Sequence, residues 1–427
     1  MLGVELPLVT ALPFVALLLV IALAPLAAPG WWHPNRNKAL VVMLVSAPIL
    51  VYLGIHAPEL LNEKFHEYIE FIVVIGALFV VTGGIHIQGS LAGTPLVNTG
   101  MLGLGAVLAN LLGTTGASVL LIRPLLRANK RRKRVAHIVI FFIFIVANCG
   151  GLLTPVGDPP LLLGFLKGVP FDWTLRLWPQ WLLINGSLLV IFHLWDRWAL
   201  QRDEQELPGS QHEEVLIHEP LRITGGVETL VLLGIIISIV LAASSLVIVL
   251  LALIGYFAGS QDRRIKNVFS FGPIIEVAVL FAGIFVTMAP VLEMLNAWAQ
   301  RPDFELTKPI HFFWASGALS SVLDNAPTYL AFAASAAGLQ GVAPHGAYIG
   351  TLALNPEAAK LLAAISTGSV FMGANTYIGN APNFMVKAIA EENGVKMPSF
   401  FGYMAYSVGI LLPLFALVSL MFFRSVQ

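Results

Sequence analysis

Apolar runs follow one another along the whole chain: Leu6 to Ala28, Ala39 to Ile55, Ile69 to Ile85, His137 to Leu153, Leu177 to Trp195, Val227 to Ala243, Leu246 to Ala258, Ile274 to Leu295, Leu361 to Ile378 and Phe401 to Phe423. The hydrocarbon core of a bilayer is about 30 Å thick and takes about 17–25 helical residues to cross. Within it every backbone N–H and C=O must find a partner inside the protein. The pattern predicts an all-α polytopic membrane protein with about ten crossings. Composition agrees: 57% of residues are hydrophobic and 11% charged, against about 25% charge in an ordinary soluble domain.

The first run lacks a basic flank and a small-residue cleavage pattern, so it is read as a mature helix, and no soluble domain is expected before or after the membrane part. The single cysteine, Cys149, excludes an internal disulfide and a cysteine-based metal cluster, and is read as a packing residue. Net charge is zero. The one basic run, "NKRRKR" from Asn129 to Arg134, is too short and isolated to suggest nucleic-acid binding; a loop that fixes orientation in the membrane is the simpler reading.

The chain is also written twice. "GGLLTPVGDPPLLLGF" (Gly150 to Phe165) pairs with "MGANTYIGNAPNFMVK" (Met372 to Lys387), setting Gly151 on Gly373, Thr154 on Thr376, Gly157 on Gly379, Asp158 on Asn380 and Pro160 on Pro382. Upstream, "ANLLGTTGAS" (Ala109 to Ser118) falls on "SSVLDNAPTY" (Ser320 to Tyr329), and the segment from Glu70 resembles that from Glu276. Similar exits follow, "GVPF" at Gly168 and "GVKMPSF" at Gly394.

Polar and glycine residues at the centres of 99–128 and 309–339 predict re-entrant hairpins, each entering and leaving on one side. Each half, 1–200 and 227–427, then has about five crossings plus one hairpin, with broken helices at 137–167 and 358–391 and a cytoplasmic linker at 201–226. An odd number of crossings turns the second copy over, the inverted-repeat design of secondary transporters. One step is delicate: a single helix over Val227 to Ala258 would reverse everything after it, and the expected split is at "AASS" (Ala242 to Ser245). Charge supports the split. Arg36, Lys38, Lys130 to Arg134, Arg197, Arg202, Arg222, Arg263, Arg264 and Lys266 fall on one side, whereas Glu59, Glu63, Lys64, Glu67, Arg301, Asp303, Glu305 and Lys308 fall on the other without basic excess. The first side is then cytoplasmic and both termini face out.

Proline removes a donor and cannot continue a helix, and glycine permits unusual dihedrals. Gly150, Gly151, Pro155, Gly157, Pro159 and Pro160 therefore break one helix deliberately, and Gly373, Gly379 and Pro382 break its counterpart; Pro327 follows the second hairpin tip. Unwound backbone at membrane depth is tolerated where it lines a cavity or binds something. The hairpin tips carry Thr114, Thr115, Asp324, Asn325 and Thr328; the helix breaks carry Asn148, Thr154, Asp158, Asn375, Thr376, Asn380 and Asn383. All offer oxygen, which suits a hard cation, whereas sulfur and imidazole are absent.

Each half contributes one carboxylate without an adjacent Lys or Arg, and an ionisable residue at depth is a functional candidate by default. Asp158 has a competing role as N-cap of a helix opening at Pro159, and Asp324 as a turn-forming residue before Pro327. A carboxylate that alternates between a proton and a metal ion is the simplest basis for exchange. Glu70 and Glu276 are read as interfacial or structural residues near helix starts, His86 as an interfacial histidine and His137 as a loop residue, with Glu293 left open between a transport and a surface role.

At these motifs the sequence resembles the ion transporter superfamily, and within it most closely the sodium/proton antiporters of the NhaD type. The resemblance is carried by "LLGTTGASVLLIRPLL", "NCGGLLTPVGDPPLLLGFLKGVPF", "SSVLDNAPTYLAF" and "MGANTYIGNAPNFMVKAIAEENGVKMPSFFGYM". It implies a dimerising scaffold, a transport domain of hairpins and broken helices that moves between sides, a homodimer and a bacterial inner-membrane location. Relatives carry dicarboxylates, citrate, tricarboxylate–metal complexes or arsenite. The dicarboxylate carriers show Ser-Asn-Thr at both tips; here the tips read Gly-Thr-Thr and Asp-Asn-Ala-Pro, and an aspartate there repels a carboxylate substrate. The leading expectation is exchange of sodium for protons, with Na+ at Asp158 and Asp324. A sodium-coupled symporter of an organic anion and an arsenite-type efflux carrier are the alternatives. No enzymatic activity, cofactor or nucleic-acid partner is expected; the partners are the bilayer and a small ion.

Overall fold

The computed structural model describes residues 6–206 and 219–424. These are mostly helical, with almost no sheet, and eight helical segments are long and apolar enough to cross a membrane. The first half holds α1 (Leu12–Ala27), α2 (Asn35–His56), α3 (Pro58–Thr82), α4 (Pro95–Ala128), α5 (Ala136–Ile145), α6 (Pro159–Leu166) and α7 (Trp178–Glu206). The second holds α8 (Gly226–Val240), α9 (Ser245–Phe257), α10 (Gly272–Ala299), α11 (Pro309–Ser320), α12 (Asn325–Leu339), α13 (Tyr348–Leu354), α14 (Pro356–Met372), α15 (Ala381–Glu392) and α16 (Phe400–Val418). One small antiparallel ribbon, β1 (His86–Ser90) with β2 (Glu219–Thr224), was not foreseen. His86 sits in this ribbon, its Nδ1 2.6 Å from Asn267 Oδ1.

A straight helix as long as α4 would extend about 50 Å. Instead its two ends meet: Asn98 and Asn129 exchange side-chain hydrogen bonds of 2.9 and 2.8 Å. The reversal occurs at Gly113, whose φ of 74° and ψ of 156° lie outside the helical region and favour glycine. In the second half α11 and α12 form the corresponding pair, turning at Ser321 to Asp324.

The open end of the first hairpin is tied by a fully buried ion pair, Arg132 to Asp196 at 2.6 Å. Asp196 also accepts from Asn98 (2.9 Å) and lies 2.7 Å from His137 Nε2, so its oxygens are well supplied, as a buried charge requires. His137 is thus no loop residue: it opens α5 and is buried in this network. The rest of the basic run docks on the end of α7. Lys133 and Arg134 donate their backbone N–H groups to Asp203, Arg134 pairs with Asp203 at 2.5 Å and with Glu206, and Lys133 reaches Glu206 at 2.7 Å.

α3 begins eleven residues before the apolar run that announced it, because Glu63, Lys64 and Glu67 pair along the helix rather than ending it. Glu70 therefore falls within α3, exposed, and not near a helix start; Glu276 is close to the start of α10, where it pairs with Lys38 at 2.8 Å. α8 and α9 are separate helices turning at Leu241 to Ser244, with Ala242 at φ 49°. At 15 and 13 residues they are shorter than a perpendicular crossing needs.

α3 packs against α10 through Phe71 stacked on Phe281 (4.8 Å) and through the Tyr68 hydroxyl, which donates to the Ala278 carbonyl (2.9 Å). Phe79, Thr82 and Gly83 at the end of α3 share a cleft with Pro273 and Glu276 at the start of α10. Glu63 and Glu293, toward the other ends of the same helices, both contact His345. The two helices therefore run in opposite directions.

Replacing Arg132 with methionine strands a buried carboxylate, a loss of about 3–5 kcal/mol. The expected outcome is a clear fall in the thermal unfolding midpoint of the purified protein, with the exposed neighbour change Lys130→Met leaving it in place. Equal midpoints for the two variants would contradict this account of the hairpin base.

Candidate functional site

Both helix breaks are propped by side chains in the same way. Thr154 Oγ1 donates to the Asn110 carbonyl (2.5 Å), and Thr376 Oγ1 to the Ser321 carbonyl (2.6 Å). Asn110 Nδ2 reaches the Gly150 carbonyl at 2.8 Å, and Ser321 Oγ the Met372 carbonyl at 3.2 Å. From the following helices, Trp181 Nε1 donates to the Gly150 carbonyl and Tyr403 to the Ala374 carbonyl, both at 2.8 Å. Asn185 and Ser407 cap the Cys149 and Asn375 carbonyls at 3.2 and 2.7 Å. Helix carbonyls freed by a break need such partners, and here the hairpins and α7 and α16 supply them. The close approach demands glycine: a Cβ on Gly157 would lie 2.1 Å from the Gly151 carbonyl oxygen, and one on Gly379 2.6 Å from that of Gly373.

Asp158 stands at the N-terminus of α6, where Pro159 and Pro160 occupy the first turn, yet its side chain makes no capping bond. The carboxylate is buried and points across the molecule. Oδ1 accepts from Thr114 Oγ1 at the first hairpin tip (2.8 Å) and from Asn380 Nδ2 in the second break (3.4 Å). Oδ2 accepts from Asn325 Nδ2 at the second tip (2.5 Å). The capping role held open for Asp158 is therefore not its role here.

A line of amides continues behind it. Asn380 Nδ2 also reaches Asn148 Oδ1 (3.1 Å), Asn148 Nδ2 donates to Asn383 Oδ1 (2.7 Å), and Asn383 Nδ2 binds the Gly373 and Thr376 carbonyls at 2.8 and 2.9 Å. Two breaks and two tips, drawn from both halves, thus meet at one carboxylate whose partners are all neutral. Asn325 Oδ1 is buried with no hydrogen-bond partner among the described residues, an acceptor oxygen left beside the carboxylate for a donor or a cation.

The other expected residues make no hydrogen bond to Asp158 among the described residues. Asp324 caps α12, accepting from the Ala326 N–H at 3.0 Å, and Thr328 bonds back to the Asp324 carbonyl; this is the turn-forming alternative. Thr154 and Thr376 support the breaks, and Asn375 Nδ2 donates to Ser321 Oγ (2.9 Å). Thr115 lines a cavity of about 80 Å³ with Asp158, Gly113, Leu78 and Ile274. This cavity adjoins a wider cleft of about 570 Å³, walled by Lys38, Arg123, Asn267, Glu276 and Glu392, and the two share Phe79, Gly116 and Pro273. Asn110, Ser321, Trp181 and Tyr403 were not singled out in advance. Asn110 and Ser321 lie in the repeated tip motif and align with one another, which was the available signal.

An ionisable residue held where broken helices meet in a multi-pass helical protein is the arrangement expected of a membrane carrier. A model of the family CitMHS_2, described as "Putative citrate transport", matches residues 3–423, and the chain belongs to that family of transporters. No curated protein matches the chain.

Gly157→Ala forces a methyl group into the Gly151 backbone, an overpacking worth about 1–3 kcal/mol. Thermal unfolding of the purified variant should show it, whereas Gly100→Ala, with open space at its Cβ, should match the unaltered protein. A stable Gly157→Ala variant would mean that the two strands of the break are not held this closely.

Proposed function

We propose that this protein is a secondary transporter exchanging sodium, or lithium, for protons, in the manner of NhaD-type antiporters, with Asp158 as the group for which the two compete. The observation that carries the reading is that Asp158 is a buried carboxylate supplied, among the described residues, only by neutral donors, Thr114, Asn325 and Asn380. With no Lys or Arg to neutralise it, a proton or a small cation is its natural counter-charge. Oxygens from Thr114, Asn325 and the unwound backbone suit a hard ion. A carboxylate substrate would meet like charge there, a juxtaposition that costs several kcal/mol. Asp324, engaged in its cap, is a second-rank candidate.

The opposed directions of α3 and α10, and the paired bonds across the two breaks, support reading the halves as inverted repeats with re-entrant hairpins. The hairpins and broken helices then form the moving part, and α3 and α10 belong to a scaffold through which two copies dimerise. The cleft is lined by Lys38, from the basic side of the chain, which supports an orientation with this opening toward the cytoplasm and the termini outside.

A second reading, sodium-coupled uptake of an organic anion such as citrate, is favoured by the family and by Arg123, a half-buried guanidinium that lines the cleft and makes no salt bridge among the described residues.

The test is made in liposomes with a trapped pH dye and an imposed sodium gradient, comparing the unaltered protein with Asp158→Asn and Asp324→Asn. Proton movement without any organic acid is expected, reduced at least about a hundredfold by Asp158→Asn and far less by Asp324→Asn. Flux that appears only when citrate or a dicarboxylate is supplied would instead establish the symporter.

A further inference from the structure

At the end of α3 and α10 away from the cleft lies a second charged cluster with no part in the site. Lys167 and Lys64 are almost completely buried. Lys167 Nζ bonds Glu67 Oε1 at 2.6 Å and lies 5.2 Å from the centre of the Tyr348 ring. Lys64 reaches the two Glu67 oxygens at 3.0 and 3.2 Å and Glu63 at 3.5 Å. Glu63 accepts from the Gly346 N–H (3.0 Å), and His345 bridges Glu63 (3.4 Å) and Glu293 (3.1 Å).

The cluster joins two sets of elements. Glu63, Lys64 and Glu67 belong to α3 and Glu293 to α10; Lys167 ends α6, and His345 and Gly346 precede α13. Along α3, Glu67 is about 18 Å from Phe79 in the cleft wall, and along α10 Glu293 is about 26 Å from Glu276. Asp158 lies between, since α6 starts beside Asp158 and runs two turns to Lys167. The cleft that adjoins the cavity at Asp158 thus lies toward one end of α3 and α10, and the charged cluster toward the other.

We propose that the Lys167–Glu67 pair, with Lys64, Glu63, His345 and Glu293 around it, is a latch that seals the end opposite the cleft and must open once in every transport cycle. This rests on the transport reading above. An ion pair of this kind adds little net stability, because desolvation offsets its attraction, but parting the charges while they stay dry is strongly unfavourable. The latch therefore has two acceptable conditions, paired and dry or separated and wet, and the second requires water to enter from that end. Because one short helix carries Asp158 at its start and Lys167 at its end, a displacement at the ion site is passed directly to the latch.

The test reads conformation rather than flux. In a Cys149→Ser background, Val119→Cys in the cleft wall is labelled with a membrane-impermeant maleimide. Charge reversal by Lys167→Glu faces Glu67 with like charge and is expected to slow labelling at least about threefold as the cleft-open population falls. Lys167→Arg should label like the parent, and Lys167→Glu combined with Glu67→Lys should recover the rate, since opposite charges again meet. Unchanged labelling in the folded Lys167→Glu variant, or failure of the double exchange to restore a slowed one, would overturn the latch. Sodium or citrate flux by the parent in the same vesicles separately reads the transport proposal, so a failed latch in an active carrier is told apart from a protein that does not transport.

Discussion

The constraint on which the rest of this structure depends is the debt of hydrogen bonds left when a helix is broken inside a membrane. Unwinding at Gly150–Asp158 and again at Gly373–Asn380 frees carbonyls that lipid cannot satisfy. Side chains on neighbouring elements meet several of them: Asn110 and Trp181 the Gly150 carbonyl in the first break, Ser321 and Tyr403 the Met372 and Ala374 carbonyls at the second. These partners lock the hairpins against the broken helices, so tips and breaks form one body. The positions of Thr114 and Asn325 at Asp158 follow from that locking, because the threonines of the breaks hold the same hairpins by their carbonyls.

Neutral partners around a carboxylate set a different condition from the buried pair at Arg132 and Asp196. There the charge is compensated once and permanently, and the result is structural. Among the described residues Asp158 receives hydrogen bonds that orient it but no opposite charge, so on the exchange reading its compensation comes from a proton or cation that arrives and leaves. The same protein thus uses two ways of burying an aspartate, one with a fixed opposite charge and one with neutral donors.

Much of this was legible in the sequence because it is written in short windows. Glycine and proline clusters marked the breaks, "AASS" marked the turn between α8 and α9, and the tip motifs marked both hairpins. What stayed hidden is pairing across distance. Nothing local indicates that Asp158 would turn away from its own helix toward Asn325, 167 residues on, or that Lys167 would find Glu67, 100 residues back. Charge inside helix α3 misled in the other direction: Glu63, Lys64 and Glu67 precede the apolar run Ile69 to Ile85, yet they lie in the same helix, with Lys64 and Glu67 paired at i,i+3 spacing. For Asp324 both a ligand and a turn were consistent with Asp-Asn-Ala-Pro, and its Oδ1 accepts from the backbone N–H of Ala326, as the turn requires.

On the exchange reading, charge at the site also explains why the two ions should be coupled at all. With a proton or a monovalent cation on Asp158 the site is neutral; empty, it carries one uncompensated negative charge. Moving an unpaired charge through a low-dielectric barrier costs several kcal/mol more than moving the neutral complex. The empty site is therefore the slow species, and the moving part crosses chiefly when loaded with one ion or the other. Neutral amides around the carboxylate are what make this work: a lysine or arginine in place of Asn325 or Asn380 would neutralise the empty site, let it return unloaded, and uncouple the two fluxes.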